Sequence, residues 1–203
     1  MATPDHTETM SVAVPDQTPR TFMAVVSPIL WLLAIMWLVE IADFLLAGNL
    51  DYLGVQSRTL IGLVGIVAAP FLHGDFEHLM ANTLPFLILG SLVSWRAREK
   101  FWNVFATIVV VSGTMLWLLG PANVVTVGAS GVIFGFLTYL LASGVITRHW
   151  VDVLVAVIVL IGYGSLLLGM LPVGVGADIS WQMHLFGALA GVLAAIYYSP
   201  PKR

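Results

Sequence analysis

The sequence predicts an all-α integral membrane protein, a bundle of six transmembrane helices, and three observations predict it. Of its 203 residues, 59% are hydrophobic and only 9% charged, too little polar side chain to cover a water-soluble globule. The apolar residues are gathered in runs close to the ~20 residues that cross a ~30 Å hydrocarbon core. The few basic residues punctuate those runs unevenly, almost all on one side of the implied membrane.

Taken in order, residues 1–21 are polar, carry Pro4, Pro15 and Pro19, and have no early positive charge ahead of an apolar core. They read as a disordered cytoplasmic tail rather than a cleaved signal, leaving residues 22–203 as the membrane domain. Spans are expected at about Val25–Ala47, His78–Trp95, Phe101–Leu119, Ser130–Ile146, Trp150–Leu171 and Trp181–Tyr198. A further run over 59–72 contains Gly62, Gly65 and Pro70 and is only 14 residues long, so its length marks it as interfacial or re-entrant.

With the N-terminus cytoplasmic, Arg20, Arg96, Arg98, Lys100, Arg148, Lys202 and Arg203 lie inside and only Arg58 lies outside. Seven of the eight basic residues then obey the positive-inside bias. Counting 59–72 as a seventh span with the N-terminus outside scores equally, because Arg20 and Arg58 exchange sides; only the length of the segment separates the two topologies. Everything after Arg96 is oriented alike in both.

Composition also narrows the function. A net charge of −3 with eight Lys and Arg leaves no basic face for nucleic acid and no polybasic lipid-binding cluster. The absence of cysteine excludes a thiolate nucleophile and cysteine-ligated metals, so any nucleophile is an oxygen. His73 and His78 are five apart and no HExxH occurs, so neither a metal nor a cofactor is expected.

Three polar residues far apart in sequence share one depth, because the second, fourth and sixth spans run the same way. Ser130 starts the fourth span between Gly128 and Gly131, where free N–H groups and the helix dipole favour a developing anion. Small residues there equally permit close helix packing, and serine is a common N-cap. His184 opens "HLFGALAG", whose Gly187 and Gly191 form a smooth stripe. That stripe would let the sixth span approach the glycine-rich fourth closely enough for an imidazole to act as base toward a serine. His78 and Asn82, four apart on one helix face, are either oxyanion donors or a polar pair joining helices.

"HGDFEHLMAN" (73–82), "GASGVIFG" (128–135) and "HLFGALAG" (184–191) together resemble the rhomboid family of intramembrane serine proteases, in order and on the expected helices. The resemblance implies a Ser130 nucleophile, a His184 base without a third carboxylate, and an oxyanion hole of His78, Asn82 and the Ser130 N–H. It implies a structural hydrogen bond for His73. Phe134 stands where the family often carries a tyrosine on which the catalytic imidazole rests; the ring is kept and the hydroxyl lost. Substrates would be single-pass transmembrane proteins, cut near the outer face after entering laterally beside the fifth span. A bacterial inner membrane is the expected location. Many relatives have a long amphipathic loop with a Trp-Arg pair between the first two spans. Here that stretch is only about Gly48 to Leu72, and the Trp95–Arg96 pair lies on the opposite side.

Two other readings are open. A non-proteolytic relative would bind transmembrane clients without cutting them, but such proteins normally lack the serine or the histidine. A channel or transporter using His78 and His184 as a proton path predicts titratable groups continuing inward, where these helices are apolar. Glu40 and Asp43 are expected to snorkel or to make a structural hydrogen bond. Asp75 and Glu77 read as loop charges, Asp178 and Gln182 as flanks of the site entrance, and His149 as remote from Ser130.

Overall fold

Residue by residue, Thr21 sets the first boundary: its hydroxyl accepts a hydrogen bond from the Ala24 N–H at 3.3 Å, an N-cap that starts the helix at Phe22. The computed structural model describes residues 21–47, 50–173, 176 and 179–200. The tail expected over 1–21 lies outside these apart from Thr21, as does Asp178.

The elements are α1 (Phe22–Leu45), β1 (Val55–Gln56), α2 (Leu60–Ala68), α3 (Phe76–Ala97), α4 (Phe101–Leu119), β2 (Val125–Thr126), α5 (Ser130–Thr147), α6 (Trp150–Tyr163) and α7 (Trp181–Tyr198). Short 3₁₀ segments follow α2 (Ala69–Phe71) and α6 (Gly164–Met170) and join α3 to α4 (Arg98–Lys100). The six long helices occupy the six apolar runs, and the protein is an all-α membrane bundle. Helix α1, the α3–α4 pair, α5, and α6 with its 3₁₀ extension are each long and apolar enough to cross a bilayer.

Residues 59–72 fold as α2 plus a 3₁₀ turn, about 20 Å end to end, too short to cross, as their length predicts. Gly62 and Gly65 press α2 onto the backbone of Gln56 and Gly54, and Ile66 packs on Gly113 of α4. The second long helix begins at Phe76 rather than His78, because the Asp75 carboxylate accepts from the His78 N–H at 2.7 Å and caps it. The fifth run is α-helical only to Tyr163 and then tightens to 3₁₀, where Gly162, Gly164 and Gly169 weaken α-helix propensity.

Helix α5 is the axis of the bundle, buried on nearly every side. Phe86 of α3, Phe101 and Phe105 of α4 and Phe136 of α5 meet in an aromatic core with ring centroids 5.5 to 6.5 Å apart. Along the α5–α7 seam the backbones touch: a Cβ at Gly187 would strike the Gly131 carbonyl, and one at Gly191 the Gly135 carbonyl. Hydrogen bonds continue the seam downward. The Thr138 hydroxyl donates to the Ala188 carbonyl at 2.7 Å, the Tyr139 hydroxyl to the Tyr198 carbonyl at 3.3 Å, and Ser143 pairs with Ser199 at 2.8 Å. Small residues allow this contact, and polar ones replace the hydrophobic drive that lipid cannot supply.

At the opposite end from Ser130, Asp152 is buried and joins three helices. It accepts from Arg96 Nε of α3 at 2.6 Å and from the Thr147 hydroxyl of α5 at 2.9 Å. Near Ser130 the loops are equally well tied. Strand β1 pairs antiparallel with β2, Arg58 donates to the Leu118 and Gly120 carbonyls at 3.1 and 3.0 Å, and Trp117 Nε1 donates to the Thr59 carbonyl at 2.8 Å. The two Arg58 bonds satisfy carbonyls orphaned at the end of α4, and the Trp117 bond ties that end to the start of α2.

Candidate active site

Ser130 is the first residue of α5, so the opening N–H groups of the helix have no intrahelical acceptor. The turn before it is shaped by Gly128, whose φ of 114° is a left-handed conformation that side chains adopt at a cost. Space imposes the same choice. A Cβ at Gly128 would lie 2.6 Å from Cε1 and 2.8 Å from Nε2 of His78. The imidazole of His78 therefore packs directly on the backbone leading to the serine.

Two further bonds hold this turn. The Gly128 N–H donates to the Ala69 carbonyl at 2.9 Å, and the Ala129 N–H donates to His73 Nε2 at 3.4 Å. His73 is 1% exposed. Burial, reinforced by its neighbour His78, pushes its pKa down to about 4, which keeps the ring neutral with a lone pair on Nε2. The rings of His73 and His78 meet edge to face at 5.2 Å.

Asn82, one turn along α3 from His78, is buried, and its Nδ2 has no hydrogen-bond partner among the described residues. That amide sits 3.8 Å from where a Gly128 Cβ would be. An orphaned buried donor costs about 1–3 kcal/mol unless an acceptor arrives.

His184 lies on the first turns of α7, 8% exposed. Its ring stacks on Phe134 with centroids 4.1 Å apart and planes 9° from parallel. Phe134 is four residues after Ser130, on the same face of α5. Nδ1 of His184 lies 3.0 Å from the Gly169 carbonyl. A carbonyl only accepts, so this bond places the ring proton on Nδ1 and the lone pair on Nε2. Among the described residues no hydrogen bond joins Ser130 to His184; the shared Phe134 platform and the Gly131–Gly187 contact bring their backbones together.

Three contributors escaped the sequence reading. The Gly169 and Ala69 carbonyls act through backbone and leave no side-chain signature. Thr138 does have one: it continues the Ser130–Phe134 face of α5 by another turn, at the level where α7 approaches. Other candidates fall elsewhere. Glu40 and Asp43 are buried at the far end of α1, where Asp43 accepts from the Leu50 N–H at 2.6 Å. Gln182 lies in the first turn of α7, and His149 precedes α6 at the opposite end of α5. Among the described residues no group of three His, Cys, Asp or Glu is arranged to hold a metal.

A family profile described as "Rhomboid domain" matches residues 61–201. An uncharacterized protein of Mycobacterium tuberculosis is 41% identical over 86% of this chain and 75% of its own length. One from Mycobacterium leprae is 39% identical over 86% and 72%. A putative rhomboid protein of Acanthamoeba polyphaga mimivirus is 27% identical over 69% of this chain and 78% of its own length.

Proposed function

The chain belongs to the rhomboid family, and on that premise we propose that it is an intramembrane serine endopeptidase with Ser130 as nucleophile and His184 as base. The observation that carries this reading is the seat of His184, flat on Phe134 with Nδ1 held by the Gly169 carbonyl. A neutral imidazole so anchored keeps the Nε2 lone pair out of that bond and available to accept a proton, the requirement for a general base.

In the proposed reaction, Ser130 Oγ attacks the scissile carbonyl while its proton passes to His184 Nε2. The tetrahedral oxyanion forms beside the N–H groups opening α5, His78 and the orphaned Asn82 amide. Such donors act strongly in a water-poor site because they are aimed before the charge develops. His184 then gives its proton to the leaving amine, and a water activated by the same nitrogen hydrolyses the acyl-enzyme. Glycines 128, 131 and 187 support the site through their close approaches.

The substrates in this reading are single-pass transmembrane proteins cut near the outer face. A helical peptide bond hides its carbonyl in the i to i−4 ladder, so the substrate unwinds before attack. In this reading both termini are cytoplasmic, an orientation that the positive-inside bias allows and the shortness of α2 favours, and the mycobacterial relatives support a bacterial plasma membrane.

The test is reconstitution with a model transmembrane substrate, comparing wild type with Ser130→Ala and His184→Ala. Both variants should lose cleavage at normal expression. Persistence of cleavage in either would remove the assignment.

A further inference from the structure

Far from Ser130, α1 and α3 diverge to leave a cavity of about 680 Å³ facing outward from the bundle. Its walls are Phe22, Val26 and Leu30 of α1 and Leu87, Ser91 and Trp95 of α3. Phe22 is 76% and Trp95 44% exposed. In an integral membrane protein such a groove opens onto hydrocarbon rather than water.

The groove has a direction. From Trp95 to Leu87 is about 12 Å of helix rise, close to the depth of one leaflet of a ~30 Å core. Trp95 sits at its end, as interfacial tryptophans do. Beyond Trp95 the chain turns through Arg96, Arg98 and Lys100, the densest cationic stretch of the sequence. The Arg96 guanidinium lies 5.2 Å from the Trp95 ring centroid while its Nε bonds Asp152. Counting Glu99 and Asp152 against the three cations leaves the turn net positive.

We infer that this groove is a binding site for an anionic phospholipid, one acyl chain lying between α1 and α3 and the phosphate resting at the Trp95–Lys100 turn. Apolar walls of one-leaflet length select an acyl chain, and the charge at one end selects the headgroup sign. The site is independent of the serine chemistry and stands whether or not Ser130 is a nucleophile.

The full-length protein in nanodiscs would be photolabelled with phosphatidylglycerol or phosphatidylcholine carrying a diazirine on one acyl chain, and the adducts mapped by mass spectrometry. Helix α6, whose Ile161 is 82% exposed, serves as an internal reference for general lipid contact. Adducts should concentrate on the Phe22–Leu30 and Leu87–Trp95 walls and favour the anionic lipid by about tenfold, the scale of one or two near-surface cations. Arg98→Gln with Lys100→Gln should abolish the preference while keeping groove labelling, and Ser91→Phe should abolish groove labelling. Equal groove labelling by both lipids in the wild type, or labelling no denser than on α6, would overturn the proposal. So would cross-links between copies of the chain through Trp95 at the expense of lipid adducts.

Discussion

Gly187→Ala isolates the contact on which the proposed chemistry depends. A Cβ at this position would meet not only the Gly131 carbonyl oxygen but also its carbon at 2.8 Å and the Gly131 Cα at 3.0 Å. These are backbone atoms and cannot rotate away. Restoring carbon contacts to the 3.5–4.0 Å optimum requires α7 to retreat from α5 by about 1 Å. His184 is one turn from Gly187 and Ser130 is next to Gly131, so the same retreat separates base from nucleophile. A misplacement of about 1 Å costs on the order of 10²-fold in rate, while overpacking costs about 1–3 kcal/mol of stability. Proteoliposome cleavage of a transmembrane substrate should therefore fall about 100-fold, with a folded protein shown by thermal denaturation. Gly162→Ala is the control: nothing lies within 4 Å of its added methyl, and helix propensity improves. If folded Gly187→Ala cuts within about threefold of the wild-type rate, far below that 10²-fold expectation, the seam does not position the dyad and the reasoning fails.

Phe134→Ala removes the surface under His184 and should lower kcat by more than about tenfold, a part of the about 10²–10⁴-fold that a positioned base contributes; Phe134→Tyr keeps the ring and should keep most of the rate. Asp152→Asn strands the Arg96 charge at a buried junction and should cost about 3–5 kcal/mol by thermal or chemical unfolding, largely recovered in Arg96→Met with Asp152→Leu. His73 and Asp51 should show opposite pH dependences of stability. Burial lowers the His73 pKa from 6.5 to about 4, so the fold loses about 3 kcal/mol as pH drops through that interval. Burial, then the charges of Asp43 and Asp75, raises the Asp51 pKa from 3.8 to about 6, so acidification relieves a penalty of about 1–2 kcal/mol after solvent screening. Unfolding titrations should show Asp51→Asn steepening the acid loss and His73→Asn reversing it; parallel profiles for the two variants would contradict both assignments.

Helices were legible where one residue type carried the signal. Apolar runs located all six long helices, and the glycines of "HLFGALAG" pointed α7 at α5, where Gly187 and Gly191 now touch Gly131 and Gly135. Asp75 reads as a loop charge in the sequence yet caps α3, and an acidic residue three before His78 is an N-cap pattern. The 3₁₀ segment after Tyr163 was invisible for a different reason. An apolar run of membrane length reads as one continuous helix; Gly162, Gly164 and Gly169 weaken that helix, but they do not say that the backbone tightens so that the Gly169 carbonyl reaches His184. The loop tie of Arg58 to the end of α4 was likewise hidden, since a lone exposed cation gives no hint of its acceptors.

The Gly169 carbonyl also explains how the proposed base does without a carboxylate. A charged side chain at membrane depth costs about 2.5–3.5 kcal/mol on insertion scales, and a carboxylate beside His184 would bear that cost whenever the imidazole is neutral. A carbonyl fixes the same tautomer and ring plane with no net charge. What it gives up is attraction for the imidazolium formed during attack. In the proposed site that deficit falls on the oxyanion side, where the dipole opening α5 and the donors of His78 and Asn82 meet the opposite charge as it develops. Removing an oxyanion donor should then cost more here than loosening the base. On this reasoning Asn82→Ala depresses kcat by about 10²-fold with KM nearly unchanged, because the amide meets its acceptor only in the transition state.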